Sequence, residues 1–286
     1  MKPSAAKQPK QPGIALVTGA SSGIGQAIAE QLGNRGFRVY AAARSLPDYF
    51  ADPAVARPQG AGELRPIRLD MTDESAVQAV FRQIIAAEGR LDCLVQAAGF
   101  GLAGAVEDTT STEARSQMET NFFGAIHILP LVLRQMRSQR HGLIVQIGSV
   151  AGFVPIAYQA YYSASKAALA ALTLAMADEL RPFGVRCMVV QPGDTATGFT
   201  RSRIMAAGAL ESDYTERCQR SIAKMAKSEA DGISAMLIAR RIVRQICRRR
   251  PPLVYSPELL YKLAPILISL MPVKFYRRVI GLMYDY

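Results

Sequence analysis

Short apolar runs alternate with helical stretches along the chain from residue 14 onward. Six runs are predicted to be strands, and several are apolar throughout, as in strands buried on both faces; they span residues 14–17, 38–42, 64–69, 93–97, 143–147 and 185–190. Apolar residues at helical spacing fill the intervals, in residues 24–35, 74–88, 111–137 and 161–180. This alternation predicts an α/β fold, with a parallel sheet covered by helices on both faces.

The chain shows neither a repeat of fixed period nor a linker that would divide it, so we expect one domain over residues 13–252. Residues 1–12 form a short basic arm without an apolar run, which we expect to be disordered and not a secretory signal. Residues 253–286 are expected to form an amphipathic, basic, helical C-terminal extension.

Two segments interrupt the alternation of strands and helices. Residues 45–62 are rich in Pro, Ala and Gly and predict a long loop. Residues 194–227 follow the sixth strand and carry the small and polar residue types expected of a mobile lid. Residues 228–231, Ser-Glu-Ala-Asp, resemble a capping box and predict a helix that starts there, reaches about residue 249 and ends at Pro251 and Pro252.

The net charge of +11 lies at the two ends of the chain. Residues 1–10 contribute +3 and residues 240–286 contribute +8, whereas the basic and acidic residues between them cancel. A neutral body argues against a nucleic-acid groove across the core, so no nucleic-acid partner is expected. The basic tail is compatible with contact to an anionic surface.

Cysteines occur at four widely separated positions, without a Cys-x-x-Cys motif or a neighbouring histidine cluster: Cys93, Cys187, Cys218 and Cys247. This spacing predicts neither a metal site nor a disulfide framework. It fits a reducing compartment, and we expect a cytoplasmic location. The two histidines, His127 and His141, are interpreted as structural or surface residues.

A glycine-rich turn follows the first predicted strand and opens the first predicted helix. Its sequence over residues 18–25 is Thr-Gly-Ala-Ser-Ser-Gly-Ile-Gly. Glycines in such a turn permit tight turning, close approach of the backbone to a pyrophosphate and close packing of the helix on the strand. The helix N-terminus then directs N–H groups and the positive end of its dipole at the phosphates. We therefore predict that this turn binds a dinucleotide cofactor.

The end of the second predicted strand indicates which dinucleotide is bound. A site for NAD usually carries an acidic residue there, which accepts a hydrogen bond from the ribose 2′-hydroxyl. This chain has Ala43, which does not repel a 2′-phosphate, followed by Arg44, whose guanidinium can bind one. Ser22 in the glycine-rich turn is a further candidate donor to that phosphate. The pattern favours NADP(H), with a solvated loop position as the alternative for Arg44.

Tyr162 and Lys166 stand four residues apart on a predicted helix and therefore share one face. A tyrosine with a pKa of about 10 is a weak proton donor at neutral pH, and an ammonium on the same face is expected to lower that pKa. Ser149 follows the fifth predicted strand, at the carboxyl edge where ligands bind in open α/β sheets. This set predicts acid/base chemistry on a substrate oxygen.

The glycine-rich turn, with the spacing Thr-Gly-x-x-x-Gly-x-Gly, and Tyr-Ser-Ala-Ser-Lys at residues 162–166 together resemble the short-chain dehydrogenase/reductase family. The resemblance covers roughly residues 13–200. It implies a single-domain Rossmann-type, doubly wound sheet with the strand order 3-2-1-4-5-6-7. It also implies a nicotinamide cofactor, interconversion of an alcohol and a ketone, and a homo-oligomer, often a dimer or tetramer.

The resemblance assigns roles to individual residues. Tyr162 is the implied acid/base, Lys166 also contacts the nicotinamide ribose, and Ser149 orients the substrate oxygen. Asn121 matches an asparagine that kinks its helix and holds a water in a proton relay to the lysine. Asp70 matches a position facing the adenine, with a turn role as an alternative that is compatible with it. The implied cofactor-binding set is Gly19, Ser21, Ser22, Gly23, Ile24, Gly25, Arg44, Asp70, Met71, Ala98, Gly99, Tyr162, Lys166, Pro192, Gly193, Thr195 and Thr197.

One motif departs from the family pattern. The family usually has Asn-Asn-Ala-Gly after the fourth strand, whereas residues 96–99 here are Gln-Ala-Ala-Gly. The second asparagine braces the central sheet by hydrogen bonds, which Ala97 cannot form. The departure puts local stability in doubt more than chemistry.

Residues 37–46 and 181–186 are most similar, within the family, to the 17β-hydroxysteroid and retinol dehydrogenase branch. That similarity implies a hydrophobic ketone or alcohol, such as a steroid, a retinoid or a long-chain 3-keto lipid, with a 3-oxoacyl or 3-ketosphinganine-type reductase as the alternative. Candidates to line the pocket, or else to cover the core, are Phe153, Phe199, Ile204 and Met205. An NADP(H)-binding sensor without turnover is a second functional class, although binding alone would not require Ser149, Tyr162, Lys166 and Asn121 together.

The C-terminal extension, residues 253–286, interleaves Leu, Ile, Met and Tyr with basic residues. Its longest uncharged run, residues 263–273, contains Pro265 and Pro272 and is too short to span a bilayer. Peripheral contact with a membrane and packing against protein are both compatible with this pattern.

Overall fold

The computed structural model describes residues 12–45, 62–200, 202–258, 261–262, 267–268 and 270–284. Nearly all of the predicted N-terminal arm and most of the loop predicted at residues 45–62 lie outside this part of the chain.

Seven parallel strands form the central sheet. They are β1 (Ile14–Thr18), β2 (Arg38–Ala43), β3 (Glu63–Arg68), β4 (Cys93–Gln96), β5 (Gly142–Ile147), β6 (Val185–Val190) and β7 (Val254–Tyr255). Their order across the sheet is β3-β2-β1-β4-β5-β6-β7. The predicted α/β fold and strand order are confirmed, and the first six strands lie where the apolar runs predict them.

Helices cover both faces of this sheet. The helices in the described part of the chain are α1 (Gly23–Asn34), α2 (Glu74–Glu88), α3 (Ser111–Met118), α4 (Gly124–Gln139), α5 (Ala160–Leu180), α6 (Thr215–Ala230), α7 (Ala235–Ile246) and α8 (Val273–Tyr284). Helices α1 and α7 share one apolar core with the sheet, and α2, α4 and α5 share the other. Because successive strand residues point to opposite faces, Ala15 and Val17 join the first core and Leu16 the second.

The helix predicted over residues 111–137 is not continuous. A π-helical turn at Glu119–Phe123 separates α3 from α4, and Asn121 lies within it. The Asn121 amide hydrogen-bonds the backbone of Phe100, outside the helix, and this tertiary contact accompanies the change in helical pitch. The spacing of apolar residues does not reveal such a turn, because a single π-helical turn shifts that spacing by only about one residue.

The helix predicted to start at residues 228–231 is wrong, since these residues end α6 and begin the turn after it. Ser228 donates to Asp194 at 2.6 Å and does not cap a helix N-terminus. Ser234 caps the next helix, α7, by accepting a hydrogen bond from the Leu237 N–H.

The segment predicted as a lid over residues 194–227 is therefore partly regular structure. Its second part is the first three turns of α6. Its first part holds two short strands: Thr195–Ala196 pairs with Ile233–Ser234, and Ile204–Met205 pairs with Leu102–Ala103.

The sheet extends past the domain boundary predicted at residue 252. Strand β7 pairs with β6. The Val189 N–H donates to the Leu253 carbonyl, and the Gln191 N–H donates to the Tyr255 carbonyl, each at 2.8 Å. The predicted extension thus begins inside the Rossmann sheet. In the part of the chain that the structure describes, no helix is long and apolar enough to cross a membrane.

Candidate active site

The predicted site residues follow the carboxyl ends of neighbouring strands. The glycine-rich turn follows β1, Ala98 and Gly99 follow β4, Ser149 follows β5, and Pro192 and Gly193 follow β6. All strands are parallel, so these ends meet at one edge of the sheet. The sheet topology, rather than proximity in sequence, brings them together.

Backbone conformation and close packing require glycine at three positions of the glycine-rich turn. Gly19 and Gly23 have φ angles of +67° and +58°, in the left-handed region that favours glycine. A Cβ on Gly19 would lie 2.6 Å from the Ala98 backbone nitrogen. A Cβ on Gly25 would collide with the Gly19 carbonyl, so Gly25 lets α1 approach β1 closely.

The first turn of α1 lacks a side-chain cap. Ser22 occupies the N-cap position in an extended conformation, but its hydroxyl caps no helix N–H and is exposed to solvent. Ser21, Gly23 and Ile24 are partly buried around it. The N–H groups that open α1 are therefore available to an anion, as the sequence predicts.

The ends of β2 and β3 present the residues predicted to face the adenosine. Ala43 is buried, whereas Arg44 is exposed, and no hydrogen bond or ion pair to another described residue holds its side chain. Asp70 accepts hydrogen bonds from the Thr72 N–H and hydroxyl at 3.0 and 2.8 Å, which is the predicted turn role. Met71 is buried, and its carbonyl lies 2.9 Å from His127 Nδ1, in keeping with a structural histidine.

The departure at residues 96–99 has a structural compensation. Gln96 Nε2 donates to the Ala125 carbonyl of α4 at 2.8 Å, and Gln96 Oε1 accepts from the buried Gln146 of β5. Ala97 forms no side-chain hydrogen bond, but its neighbour Gln96 thus links β4 to β5 and to α4. The glutamine pair takes over the bracing of the central sheet that Ala97 lacks.

Asn121 is held between the strand edge and α5. Its amide exchanges two hydrogen bonds of 3.0 Å with the Phe100 backbone and donates to Ser165 Oγ at 3.2 Å. Gly99 lies against the same amide, where a Cβ would come within 3.0 Å of Asn121 Oδ1. These contacts place Asn121 beside the residue that precedes Lys166, and the water relay stays a prediction.

Ser149 and Tyr162 lie close together at the sheet edge. Ser149 starts a short 3₁₀ turn, its Oγ accepts from the Ala151 N–H at 3.1 Å, and its side chain is near enough to the Tyr162 phenol to lower the pKa of Tyr162. Tyr162 is 8 % exposed. Burial raises the pKa of Tyr162 to about 12, although the Ser149 side chain lowers it.

Lys166 lies on the same face of α5 as Tyr162 and is equally buried. Its Nζ is 5.8 Å from the centre of the Tyr162 ring and donates to the Ile147 carbonyl at 2.8 Å. Burial lowers the pKa of Lys166 to about 8. Removal from water is the largest influence on the pKa of both groups, and a lowering of the pKa of Tyr162 by the Lys166 ammonium stays a prediction.

The segment after β6 crosses the edge above the glycine-rich turn. The Pro192 carbonyl accepts from the Val150 N–H at 3.0 Å, and Thr195 Oγ1 donates to the Gly193 carbonyl at 3.2 Å. Thr197 sits over Gly23, whose added Cβ would meet the Thr197 Cβ at 3.4 Å. The segment predicted to contact the cofactor therefore lies close to both the glycine-rich turn and Ser149.

Sequence reasoning missed two residues that support this segment. Glu258, beyond β7, is buried and accepts a hydrogen bond from the Gly193 N–H at 3.1 Å, and burial raises its pKa. Tyr261 packs its ring directly on Gly193, which leaves no room there for a side chain. No local signal marks either residue, because their position depends on the return of the chain along β7.

It also missed a buried ion pair beside Tyr162. Arg203 and Glu229 of α6 pair through Arg203 Nη2, and Thr200 donates to the same carboxylate. Of the predicted pocket residues, Phe199 lies beside Tyr162 with 5.5 Å between ring centres. Met205 packs on a small cluster around Leu102, and Phe153 follows the Ser149 turn, whereas Ile204 is half exposed.

Comparison with known proteins agrees with this geometry. Residues 13–206 match the family described as short chain dehydrogenase. The chain is 37 % identical over 243 residues to the 3-ketodihydrosphingosine reductase of Bacteroides thetaiotaomicron, covering 85 % of this chain and 86 % of that protein.

Solved structures extend the similarity to the fold. A short-chain dehydrogenase from Streptomyces avermitilis superimposes with a TM-score of 0.79 at 29 % identity, covering 95 % of this chain and 98 % of that one. A metagenomic short-chain oxidoreductase in complex with NADP superimposes with a TM-score of 0.59 at 35 % identity, covering 63 % and 81 %. The resemblance inferred from the motifs is confirmed: the chain belongs to the short-chain dehydrogenase/reductase family of oxidoreductases.

Proposed function

We propose that the protein is an NADP(H)-dependent reductase that interconverts a ketone and a secondary alcohol, with a hydrophobic 3-keto lipid as substrate. The observation that carries the proposal is the buried Tyr162 phenol at the sheet edge, with Ser149 close by and the buried Lys166 one helical turn away on the same face of α5, 5.8 Å from the centre of the Tyr162 ring. A fold that only bound a nucleotide would need neither the buried phenol nor the buried amine at this edge.

The residues present fit a dinucleotide. Gly19 and Gly23 open the backbone of the turn, and the start of α1 keeps its N–H groups free of a side-chain cap. Arg44 is exposed at the end of β2 and Ser22 faces solvent nearby, so both suit a 2′-phosphate. The absence of a carboxylate at Ala43 favours NADP(H) over NAD(H), and the similar metagenomic oxidoreductase is described as an NADP complex.

A bound nicotinamide supplies the hydride for the carbonyl carbon, and the chain supplies everything else. Ser149 donates a hydrogen bond to the substrate oxygen and fixes its position next to Tyr162. The Tyr162 hydroxyl gives its proton to that oxygen as negative charge develops there. With a pKa of about 12, Tyr162 keeps its proton at neutral pH, which suits the direction from ketone to alcohol.

Lys166 acts on the cofactor side of the site. Its Nζ is anchored by the Ile147 carbonyl, and no hydrogen bond to another described residue occupies its remaining donors, which suit the nicotinamide ribose hydroxyls. A pKa of about 8 leaves the amine close to its own titration at neutral pH, so it can exchange a proton as the site turns over. Asn121 donates a hydrogen bond to Ser165, the residue before Lys166, and so supports the position of Lys166 on α5.

The substrate class rests on the pocket and on the relative. Phe199 presents an apolar ring beside Tyr162, as a hydrophobic substrate requires. The similar Bacteroides thetaiotaomicron protein is named a 3-ketodihydrosphingosine reductase. Among the steroid, retinoid and 3-keto lipid candidates, this similarity favours the 3-keto lipid.

Oxidation of NADPH in the presence of matched ketones tests the proposal. We expect long-chain 3-keto lipids to be reduced with a higher kcat/KM than a steroid ketone or retinal, and NADPH to be preferred over NADH. A protein that binds NADPH but reduces none of these carbonyl compounds would contradict the proposal and favour the sensor hypothesis.

We further propose that α8 contacts an anionic membrane surface. Its large apolar side chains are exposed, with Val273 at 65 %, Phe275 at 57 % and Leu282 at 73 %. Lys274 and Arg278 are exposed on the same helix. Apolar and cationic residues combined on one exposed helix are typical of interfacial attachment, which would bring the site close to a lipid substrate.

A further inference from the structure

The ion pair between Arg203 and Glu229 is unusual because both charged side chains are largely buried. The two side chains are only 3 % and 17 % exposed. Charged side chains are rarely buried without partners, because removal from water costs several kcal/mol for each ion. Glu229 meets this requirement, since one carboxylate oxygen accepts from Arg203 and the other from Thr200.

Arg203 does not meet it. Its Nε and Nη1 are buried and have no hydrogen-bond partner among the described residues, and only Nη2 is engaged, by Glu229. A buried guanidinium with two donor nitrogens that lack an acceptor is preorganised to bind acceptor oxygens. Stability alone does not explain it, because an unsatisfied buried donor lowers stability.

Arg203 lies next to the site, because it packs beside a residue that contacts Tyr162. Arg203 and Phe199 both pack on Gly101, where an added Cβ would meet Phe199 Cζ at 3.1 Å and Arg203 Cγ at 3.7 Å. The Phe199 ring in turn lies 5.5 Å from the Tyr162 ring. The charges of Arg203 and Glu229 are both close enough to influence the pKa of Tyr162.

We propose that Arg203 binds an acceptor oxygen of the substrate through its free Nε–H and Nη1–H groups, so that the site selects ketones bearing a second oxygen near the reducible carbonyl. Glu229 already neutralises the guanidinium, which favours an uncharged oxygen, such as that of an ester, thioester or hydroxyl group, over a carboxylate. A 3-oxo chain with an oxygen on carbon 1 has this pattern. The inference rests on the proposed function and specifies which ketones it accepts.

The test compares two substrates of equal chain length: ethyl 3-oxooctanoate, and the plain ketone in which methylene groups replace the ester. Arg203→Lys retains one cationic nitrogen for Glu229 but removes the two unpartnered donor nitrogens, Nε and Nη1. We expect the ratio of kcat/KM for the ester to kcat/KM for the plain ketone to fall roughly ten- to a hundredfold, as for loss of a hydrogen bond to a charged donor. Arg217→Lys, an exposed position on α6, is the matched control and should leave the ratio unchanged.

A binding measurement separates this inference from the proposed function. In a Tyr162→Phe background loaded with NADPH, calorimetry should show the ester bound about tenfold more weakly by the protein that also carries Arg203→Lys. Equal losses for both substrates, or an unchanged affinity, would show that Arg203 only supports the fold, and would overturn the inference. A wild-type protein that binds the ester through Arg203 but reduces no ketone would instead contradict the proposed function.

A second variant guards against misfolding. If Arg203→Lys unfolds, the double variant Arg203→Gln with Glu229→Gln removes both charges together and leaves neither buried alone. The same fall in the ester-to-ketone ratio is expected for it, and an unchanged ratio would again overturn the inference.

Discussion

The sheet edge and the segment that covers it are built in different ways. Ser149, Tyr162 and Lys166 lie at or just beyond the ends of β5 and on α5, where local motifs and the parallel topology place them. Arg203 and Glu229 reach the same place from a loop and a helix 26 residues apart, held by contacts with each other and with Gly101. Our proposals place the chemistry on the sheet edge and the selection of substrate on the covering segment, so the two are expected to respond separately to substitution.

The largest effect is expected at the edge. Tyr162→Phe removes the proton donor while retaining the ring, so kcat should fall about a thousandfold, within the range for loss of a general acid. The affinity for NADPH, measured by fluorescence titration, should change by no more than a fewfold. Tyr161→Phe, the partly buried neighbour, is the control. If the Tyr162 variant kept substantial activity, another group would have to donate the proton, and the assignment of the chemistry to the sheet edge would be wrong.

The second prediction concerns the buried charge of Lys166. Its pKa is about 8 in the folded protein and 10.5 in the unfolded chain. Between these values the unfolded chain binds more protons, so this residue makes the protein more stable as the pH rises from 8 to 10.5. Relative to Lys166→Met, the wild-type free energy of unfolding should therefore increase by up to about 3 kcal/mol over that window.

Urea unfolding at pH 7.5 and pH 10 measures this difference, because other titrating groups contribute equally to both proteins. A difference that stayed constant with pH would mean that Lys166 is not desolvated at the edge.

A smaller effect is expected at the end of β2. Arg44→Asp replaces a donor to the 2′-phosphate with an acceptor for the ribose 2′-hydroxyl. The ratio of kcat/KM with NADPH to kcat/KM with NADH should fall about a hundredfold, as for loss of one charge-assisted hydrogen bond. Arg35→Asp, an exposed position at the end of α1, should leave it unchanged. An unmoved ratio in the Arg44 variant would show that Arg44 points into solvent.

The smallest effect on catalysis is expected for the tail. A chain ending at residue 271 lacks α8 but retains β7 and Glu258, so its kcat/KM for a small water-soluble ketone should stay within about threefold. Its co-sedimentation with anionic liposomes should be lost, whereas that of the full chain should weaken at high salt. If the shortened chain instead unfolds or loses an oligomer, α8 is a packing surface and the membrane proposal fails.

The sequence predicted most of the sheet because several strands are apolar runs buried on both faces, as in Leu16 and Val17, which lie on opposite faces and are both fully buried. It predicted the place of Tyr162 and Lys166 because helical spacing puts them on one face. It did not predict the direction of the Tyr162 pKa shift, which depends on burial by residues distant in sequence. Arg203 and Glu258 were missed for the same reason, since only tertiary contacts distinguish them from surface charges.

Strand β7 makes the order in which the chain emerges during synthesis important. Its two residues are made late, after α7, because 254 residues precede Tyr255, the last of them. Until then β6 is an open edge whose N–H and C=O groups are free to pair with another strand. A nascent or truncated chain should therefore aggregate until residue 255 is available, even though all residues predicted to act on the substrate oxygen are already in place.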